Sequence, residues 1–152
     1  MMELDMRPIP GSDPGLRVAL AEAKLPIDDL EEEGLEEEGR QFFAFSLDGE
    51  VVGYGGMERC GQHGLLRSVV VLPGCRGRGI GSRLPPLMFG HDYRFAMRSV
   101  FLFTETAVPF FERLGFKRID RAQAPAEILK TRQASSLCPS SATLMQLVLP
   151  SN

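Results

Sequence analysis

The chain has 152 residues, of which 43% are hydrophobic and 24% charged, the size and balance of one folded domain with one core rather than of a disordered segment. A formal net charge of −3 supplies no field to draw nucleic acid, and no stretch approaches the roughly 18 consecutive apolar residues of a membrane span. Met1 to Pro10 holds neither a basic segment nor an apolar run, so no signal peptide is expected and a cytoplasmic location follows as the default.

Leu4 to Arg7 reads as a short first strand closed by Pro8 and Pro10. Ser12 and Asp13 offer an N-cap and Pro14 suits a first helical turn. The helix runs to about Lys24, with Leu16, Ala19, Leu20 and Ala23 at the spacing of one helical face, and Pro26 stops it. A second short helix is expected from Ile27, with Asp28 and Asp29 favourable in its first turn and Gly34 and Gly39 breaking it. The acidic patch Glu31, Glu32, Glu33, Glu36, Glu37 and Glu38 reads as a solvated helix end and loop.

From Gln41 the period changes to two. Phe43, Phe45 and Leu47 alternate with Phe42, Ala44 and Ser46, and Asp48-Gly49 is a two-residue hairpin signal. Glu50 to Glu58 is the return strand, loosened by Gly53, Gly55 and Gly56, which permit a bulge or the close approach of another group. A turn at residues 60–64 leads to a third antiparallel run, Leu65 to Leu72, ended by Pro73. A Gly/Arg loop then enters a helix from about Gly79, which Pro85-Pro86 is expected to kink or break while disfavouring a helical Leu84. Ser99 to Thr104 is a buried strand by composition. Thr106 is expected to cap a short helix through Leu114, ended by Gly115. Phe116 to Asp120 reads as a strand, Pro125 to Thr131 as one or two helical turns, and Ala142 to Leu149 as a last strand. The order is mixed α and β, and its strand–loop–helix–strand unit implies a parallel pair.

The segment from Ser68 to Gly81 is where chemistry is legible: Val69-Val70-Val71 runs to Pro73, and then Arg76-Gly77-Arg78-Gly79-Ile80-Gly81 opens a helix. Unpaired N–H groups at a helix start favour a phosphate, glycines let the backbone close around it, and Arg76 and Arg78 add charge. A Walker loop is excluded because Gly81-Ser82 lacks the lysine, and a dinucleotide fingerprint because Gly77, Gly79 and Gly81 give G-x-G-x-G.

Arg76-x-x-Gly79-x-Gly81 resembles the Arg/Gln-x-x-Gly-x-Gly/Ala signature of the GCN5-related N-acetyltransferases, and Ala107-x-x-Phe110-Phe111-x-x-x-Gly115-Phe116 resembles their second motif. The resemblance implies a mixed α/β fold: a mostly antiparallel sheet of six to seven strands, a central parallel pair that splays apart, and about four flanking helices. It implies acetyl-coenzyme A as donor, its pyrophosphate on the backbone amides of Arg76, Gly77, Arg78, Gly79, Ile80 and Gly81. The pantetheine arm would pair with Val69, Val70 and Val71 as an added strand. Direct attack by a small-molecule amine would follow, with amides of that strand polarising the carbonyl. Leu65-Leu66-Arg67-Ser68-Val69, Thr104 to Ala107 and Ser136-Leu137-Cys138-Pro139 also resemble the acetyltransferases associated with arsenic-resistance operons, which implies an amine-bearing arsenical or related toxic acceptor.

Two departures from the family pattern bear on the chemistry. Phe111 stands where the motif usually carries a tyrosine able to protonate the leaving thiolate, and Thr104 stands where relatives often have an asparagine near the cofactor. Glu58 is the first candidate for the general base, against the reading of a solvated strand-end acid, and Glu105, just after a buried strand, is the second. Arg67, with Ser68 beside it, is the candidate to meet an acidic group on the substrate, against the alternative of a surface cation. His63 and His91 lack partners at metal spacing and read as turn or surface residues, and no metal site is expected.

Three readings stay open. One is the acetyltransferase; the second is a non-catalytic acyl-carrier sensor, motivated by Phe111. The third is a metalloid-binding protein built on Cys60, Cys75 and Cys138, which are odd in number and lack CxxC spacing, so that free structural thiols are the plainer account. The state of assembly stays open between monomer and homodimer.

Overall fold

The computed structural model describes residues 3–25, 27, 39–89, 97–131 and 141–149. Strand β1 (Leu4–Ile9) leads to helix α1 (Pro14–Glu22), and then come the meander strands β2 (Arg40–Leu47), β3 (Glu50–Cys60) and β4 (His63–Val71). Helix α2 (Leu84–Phe89), strand β5 (Ser99–Thr104), helix α3 (Val108–Arg113), strand β6 (Lys117–Arg118), helix α4 (Ala126–Leu129) and strand β7 (Thr143–Val148) follow. Among the described residues, seven strands share one sheet in the order β1-β2-β3-β4-β5-β7-β6, and only β4–β5 is parallel. The expected α/β architecture is therefore the observed one.

Local chemistry explains the starts and stops. Asp13 Oδ2 accepts from the Leu16 amide at 3.0 Å, capping α1, and Pro14 occupies its first turn. The helix ends earlier than Pro26: Lys24 turns left-handed (φ 60°), and the Leu25 amide reaches back to the Leu20 carbonyl. Asp48 and Gly49 both have positive φ (50° and 81°), as a two-residue hairpin turn with the right twist requires. Pro8 lies inside β1 rather than closing it, which an edge strand tolerates because one row of its amides has no partner to serve. The second helix expected after Ile27, and the acidic patch, lie outside the described residues.

Both faces of the sheet are covered, so the alternation in β2 does not separate buried from exposed residues. Phe42 and Ala44 pack with Leu16, Ala19 and Leu20 of α1, while Phe43 and Phe45 pack on the other face with Leu84 and Met88 of α2. Each fully buried phenyl or leucyl side chain contributes about 1.5–3 kcal/mol. Gly55 is where α2 touches the sheet: a Cβ there would lie 2.7 Å from Met88 Cε. A side chain at Gly55 would thus push α2 off the sheet.

The proline pair acts differently from the expectation. Gly81–Arg83 forms a 3₁₀ turn, and α2 begins afresh at Leu84, which is helical (φ −68°, ψ −51°). Pro85 and Pro86 fall in the first turn of α2, where their missing N–H groups would have had no intrahelical acceptor. The break therefore precedes the prolines, and Leu84 keeps the conformation they were expected to disfavour. Helix α3 has no side-chain cap: Ala107, not Thr106, holds the N-cap position, and Thr104 Oγ1 accepts from the Ala107 amide at 3.0 Å.

Candidate active site

Strands β4 and β5 stay in register over only three pairs, His63–Ser99, Gly64–Val100 and Leu65–Phe101. Beyond Leu65 the strands part. Strand β5 continues to Thr104 against β7, while β4 continues to Val71 against β3. A cavity of about 520 Å³ opens between them, lined by residues 66–71 of β4, Leu102 to Thr104 of β5, and Thr106, Ala107, Phe110 and Phe111 at α3. Arg76 and Gly81 close one side, and Ala23 and Leu25, beyond α1, another.

A bulge shapes the β4 wall. The register with β3 shifts so that Ser68 and Val69 together oppose Gly55, and Ser68 adopts φ 60°, a left-handed conformation uncommon for a residue with a side chain. Past the bulge the amide of Leu72 donates to Val52 on β3. Strand alternation therefore turns the polar backbone of Val70 toward β3 and that of Val69 and Val71 toward the cavity. The Val71 carbonyl confirms this direction, since it accepts from Arg76 Nε at 3.0 Å across the open edge.

The loop after β4 presents its amides outward. Gly77 and Gly79 have φ of 82° and 73°, and a Cβ built on either would meet no protein atom within 4 Å. Among the described residues, and outside the helices and strands, none of the amides from Gly77 to Ile80 donates to a backbone carbonyl. Ile80 is buried in the main core and pins the loop, while residues 76–79 are exposed. Ser82 Oγ donates to the Gly79 carbonyl at 2.9 Å, fixing the turn from within. The loop is thus a nest of available donors beside two arginines, a shape that accepts an anion.

The residues singled out for chemistry fall in three places. Arg67 and Ser68 line the cavity, yet the Arg67 side chain is only 1% exposed, so it is not a surface cation. Its Nη1 lies 3.9 Å from Glu58 Oε1, its Nε donates to Ser68 Oγ at 3.3 Å, and its Cζ sits 5.4 Å from the centre of the Phe42 ring. Glu58 is buried too, 3.3 Å from Arg40 Nε, and does not line the cavity. Glu105 is exposed, accepts from Ser141 Oγ at 3.1 Å, and also lies off the cavity. The buried partner Arg40, and the ring of Phe42 under Arg67, carry no local sequence signal. Only the pairing of β2, β3 and β4 brings them together.

Thr104 and Phe111 do line the cavity. Phe111 is packed edge-on against Phe110 and Phe116, with ring centres 5.0 and 5.6 Å away. Thr104 uses its oxygen on Ala107 and keeps a hydroxyl proton to give. His63 lies at the start of β4, not in a turn, edge-on to Phe101 at 5.4 Å; His91 is outside the described residues.

Among the described residues no group of His, Cys, Asp or Glu is arranged to hold a metal. Cys60 is buried and its thiol is pushed up to about 12, chiefly by burial and then by the Glu58 carboxylate. A thiol so held is a poor soft-metal ligand, because metal binding requires the thiolate. Cys75 is half-buried in the turn after β4, and Cys138 lies outside the described residues.

This arrangement has parallels. The acetyltransferase (GNAT) domain family matches residues 38–118, more than half of the chain, and the protein belongs to that family, whose donor is acetyl-coenzyme A. The chain superposes on N-acetylglutamate synthase from Neisseria gonorrhoeae, complexed with coenzyme A and N-acetyl-glutamate, at a TM-score of 0.77 with 16% identity. That likeness covers 98% of this chain and 36% of the synthase chain, so this chain spans about a third of its length. Rv2747 from Mycobacterium tuberculosis, in complex with CoA, gives a TM-score of 0.73 at 24% identity over 96% of this chain and 99% of its own. PaiA N-acetyltransferase from Thermoplasma acidophilum, in complex with coenzyme A, gives 0.68 at 15% identity over 97% and 100%. These identities establish a shared fold. No curated protein matches the sequence.

Proposed function

We propose that this protein transfers the acetyl group of acetyl-coenzyme A directly to the amine of a small acceptor. The observation that carries the reading is the parting of β4 and β5 beyond Leu65, with an open strand edge on one side and the amide nest at Arg76–Gly81 at its end. The residues present fit the donor. The nest and the two arginines suit a pyrophosphate. The backbone of Val69 and Val71 suits an amide-bearing arm, and Val70 contributes its side chain alone. The apolar wall of Leu102, Phe103, Phe110 and Phe111 keeps water from the thioester.

When bound, the donor supplies an activated acyl carbon; a new C–N bond forms there and the C–S bond breaks. Amides of the bulged β4 edge beside Ser68 stabilise the charge on the carbonyl oxygen. No carboxylate or imidazole lines the cavity among the described residues. The acceptor amine therefore sheds its proton to water at the cavity mouth rather than to Glu58 or Glu105. Phe111 cannot donate a proton, so the thiolate takes one from water. Glu58 serves as a positioning residue for Arg67.

The test is thiol release over a panel of small amines, with mass analysis of the products. An acetylated acceptor is expected; no product from any acceptor, at saturating donor, would overturn the reading. The cavity without an acid or base, and with Phe111 in the tyrosine position, gives a second reading some weight: a domain that binds the donor without turnover. Calorimetric binding of acetyl-coenzyme A with no transfer would favour it. An arsenical acceptor is supported by the sequence resemblance alone. A metalloid site on the cysteines is disfavoured by the burial of Cys60.

A further inference from the structure

Ser68 lines the space between β4 and β5, is half-buried, and holds a φ of 60° in the bulge opposite Gly55. That conformation is unfavourable for a residue with a Cβ and persists only where the surroundings impose it. Here they act through the side chain as well as the backbone. Ser68 Oγ accepts from Arg67 Nε at 3.3 Å. Arg67 is itself fixed from within: its Cζ lies over the Phe42 ring, its Nη1 beside Glu58, and Arg40 sits on the same Glu58 oxygen. Gly56, its register partner on β3, makes room for it, since a Cβ there would lie 3.2 Å from Arg67 Cγ. The guanidinium is thus met inside the protein. What it presents to the cavity is the hydroxyl it holds.

A serine hydroxyl has two lone pairs and one proton. With the guanidinium on a lone pair, the Ser68 proton is left to give, and among the described residues it goes to no protein group. A cation donating to the oxygen also draws electron density from the O–H bond, which makes the hydroxyl a stronger donor. Thr104, on the opposite wall, accepts from a neutral amide and lacks this assistance.

We propose that the Ser68 hydroxyl donates to the carbonyl oxygen of the thioester, a second donor beside the β4 amides, with Arg67 as its positioning residue. This rests on reading the cavity as the site of acetyl transfer. On that reading the donor runs from the amide nest along Val71 and Val69, which brings its thioester to Ser68. As the acceptor nitrogen closes the C–N bond, the carbonyl electron pair moves onto oxygen and the O–H···O contact strengthens around the growing charge. Ser68 keeps its proton throughout. The pair returns to carbon as the C–S bond breaks.

Two variants separate the hydroxyl from the shape of the bulge. Ser68→Ala removes the hydroxyl and keeps the left-handed strain, whereas Ser68→Gly removes both, because glycine adopts this φ freely. Two readouts are taken: kcat with an amine from the panel, and the isotope-edited infrared stretch of the thioester carbonyl of acetyl-coenzyme A bound without acceptor. Both variants should lose roughly 100-fold in kcat while binding coenzyme A within threefold of the wild type. The carbonyl band should move to lower frequency on binding the wild type, and less on binding either variant. Arg67→Gln, or Arg67→Lys if the first does not fold by circular dichroism, disturbs the Nε contact and should move the band toward that of Ser68→Ala; an unmoved band overturns the part given to Arg67. A wild-type rate and band in Ser68→Ala overturn the inference, and so does recovery in Ser68→Gly, which would leave backbone shape as the cause. Each of these outcomes leaves the transferase reading standing. Failure of the wild type to bind the donor, or to acetylate any amine, overturns that reading itself.

Discussion

The guanidinium of Arg76 reaches back to the carbonyl of Val71, Nε to O at 3.0 Å, and so occupies a backbone group that an added strand would need. On the proposed function Arg76 would have two uses that oppose one another: covering the β4 edge in the free protein, and offering charge to the donor's phosphates. Arg76→Met should therefore weaken coenzyme A about fivefold to tenfold, the effect of one exposed charge-assisted contact of about 1–1.4 kcal/mol. The same change should tighten acetyl-pantetheine, which lacks the phosphates. Calorimetry with both ligands checks the opposite signs.

Gly79 separates folding from binding. Its φ of 73° makes alanine there unfavourable by about 1–2 kcal/mol. The new methyl group meets no protein atom within 4 Å and projects into open space, which on the proposed function the donor's pyrophosphate would fill. Gly79→Ala should lower the urea midpoint slightly and weaken coenzyme A by more than tenfold, as titration of the folded protein would measure.

Glu58 stands between Arg40 and Arg67, at 3.3 and 3.9 Å, with its side chain 8% exposed. Glu58→Gln leaves two buried guanidiniums without the carboxylate they share, and should destabilise the fold by about 3–5 kcal/mol. Urea denaturation checks this. A catalytic base acting alone would show the reverse pattern: activity lost and stability kept.

Cys60 should behave as an inert thiol. Its folded pKa of about 12 lies above its ordinary value of 9.0, so the folded state holds the proton that the unfolded chain gives up first. The resulting stability is complete below pH 9 and declines as pH rises toward 12. In a maleimide time course at pH 8 read by mass spectrometry, Cys75 should be modified in the native protein and Cys60 only after denaturation.

The sequence carries most of the fold because its signals are local. Asp48-Gly49 sets the hairpin, Asp13-Pro14 the start of α1, and the β-branched and aromatic run at 99–104 a strand copied by the structure residue for residue. The exposed glycine and arginine loop after β4 is legible for the same reason: its residues are contiguous. What escaped depends on partners distant in the chain. The left-handed Ser68 arises from a register shift opposite Gly55, and nothing in residues 66–70 announces it. For Arg67 and Glu58 the surface-ion reading stayed open beside the functional one, because their burial depends on Arg40 and Phe42, more than 15 positions upstream of either. Thr104 rather than Thr106 holds the Ala107 amide ahead of α3 because the end of β5 places its hydroxyl there, a matter of direction that residue type leaves undecided.

Among the described residues, three strand pairs, continued by the Arg98 amide on the Gln62 carbonyl, stitch the four-stranded wing of the sheet to the three-stranded one. A junction that narrow leaves the two wings to be clamped by whatever lodges between them. An occupant touching both sides works as a removable keystone, lending the whole molecule rigidity for as long as it stays.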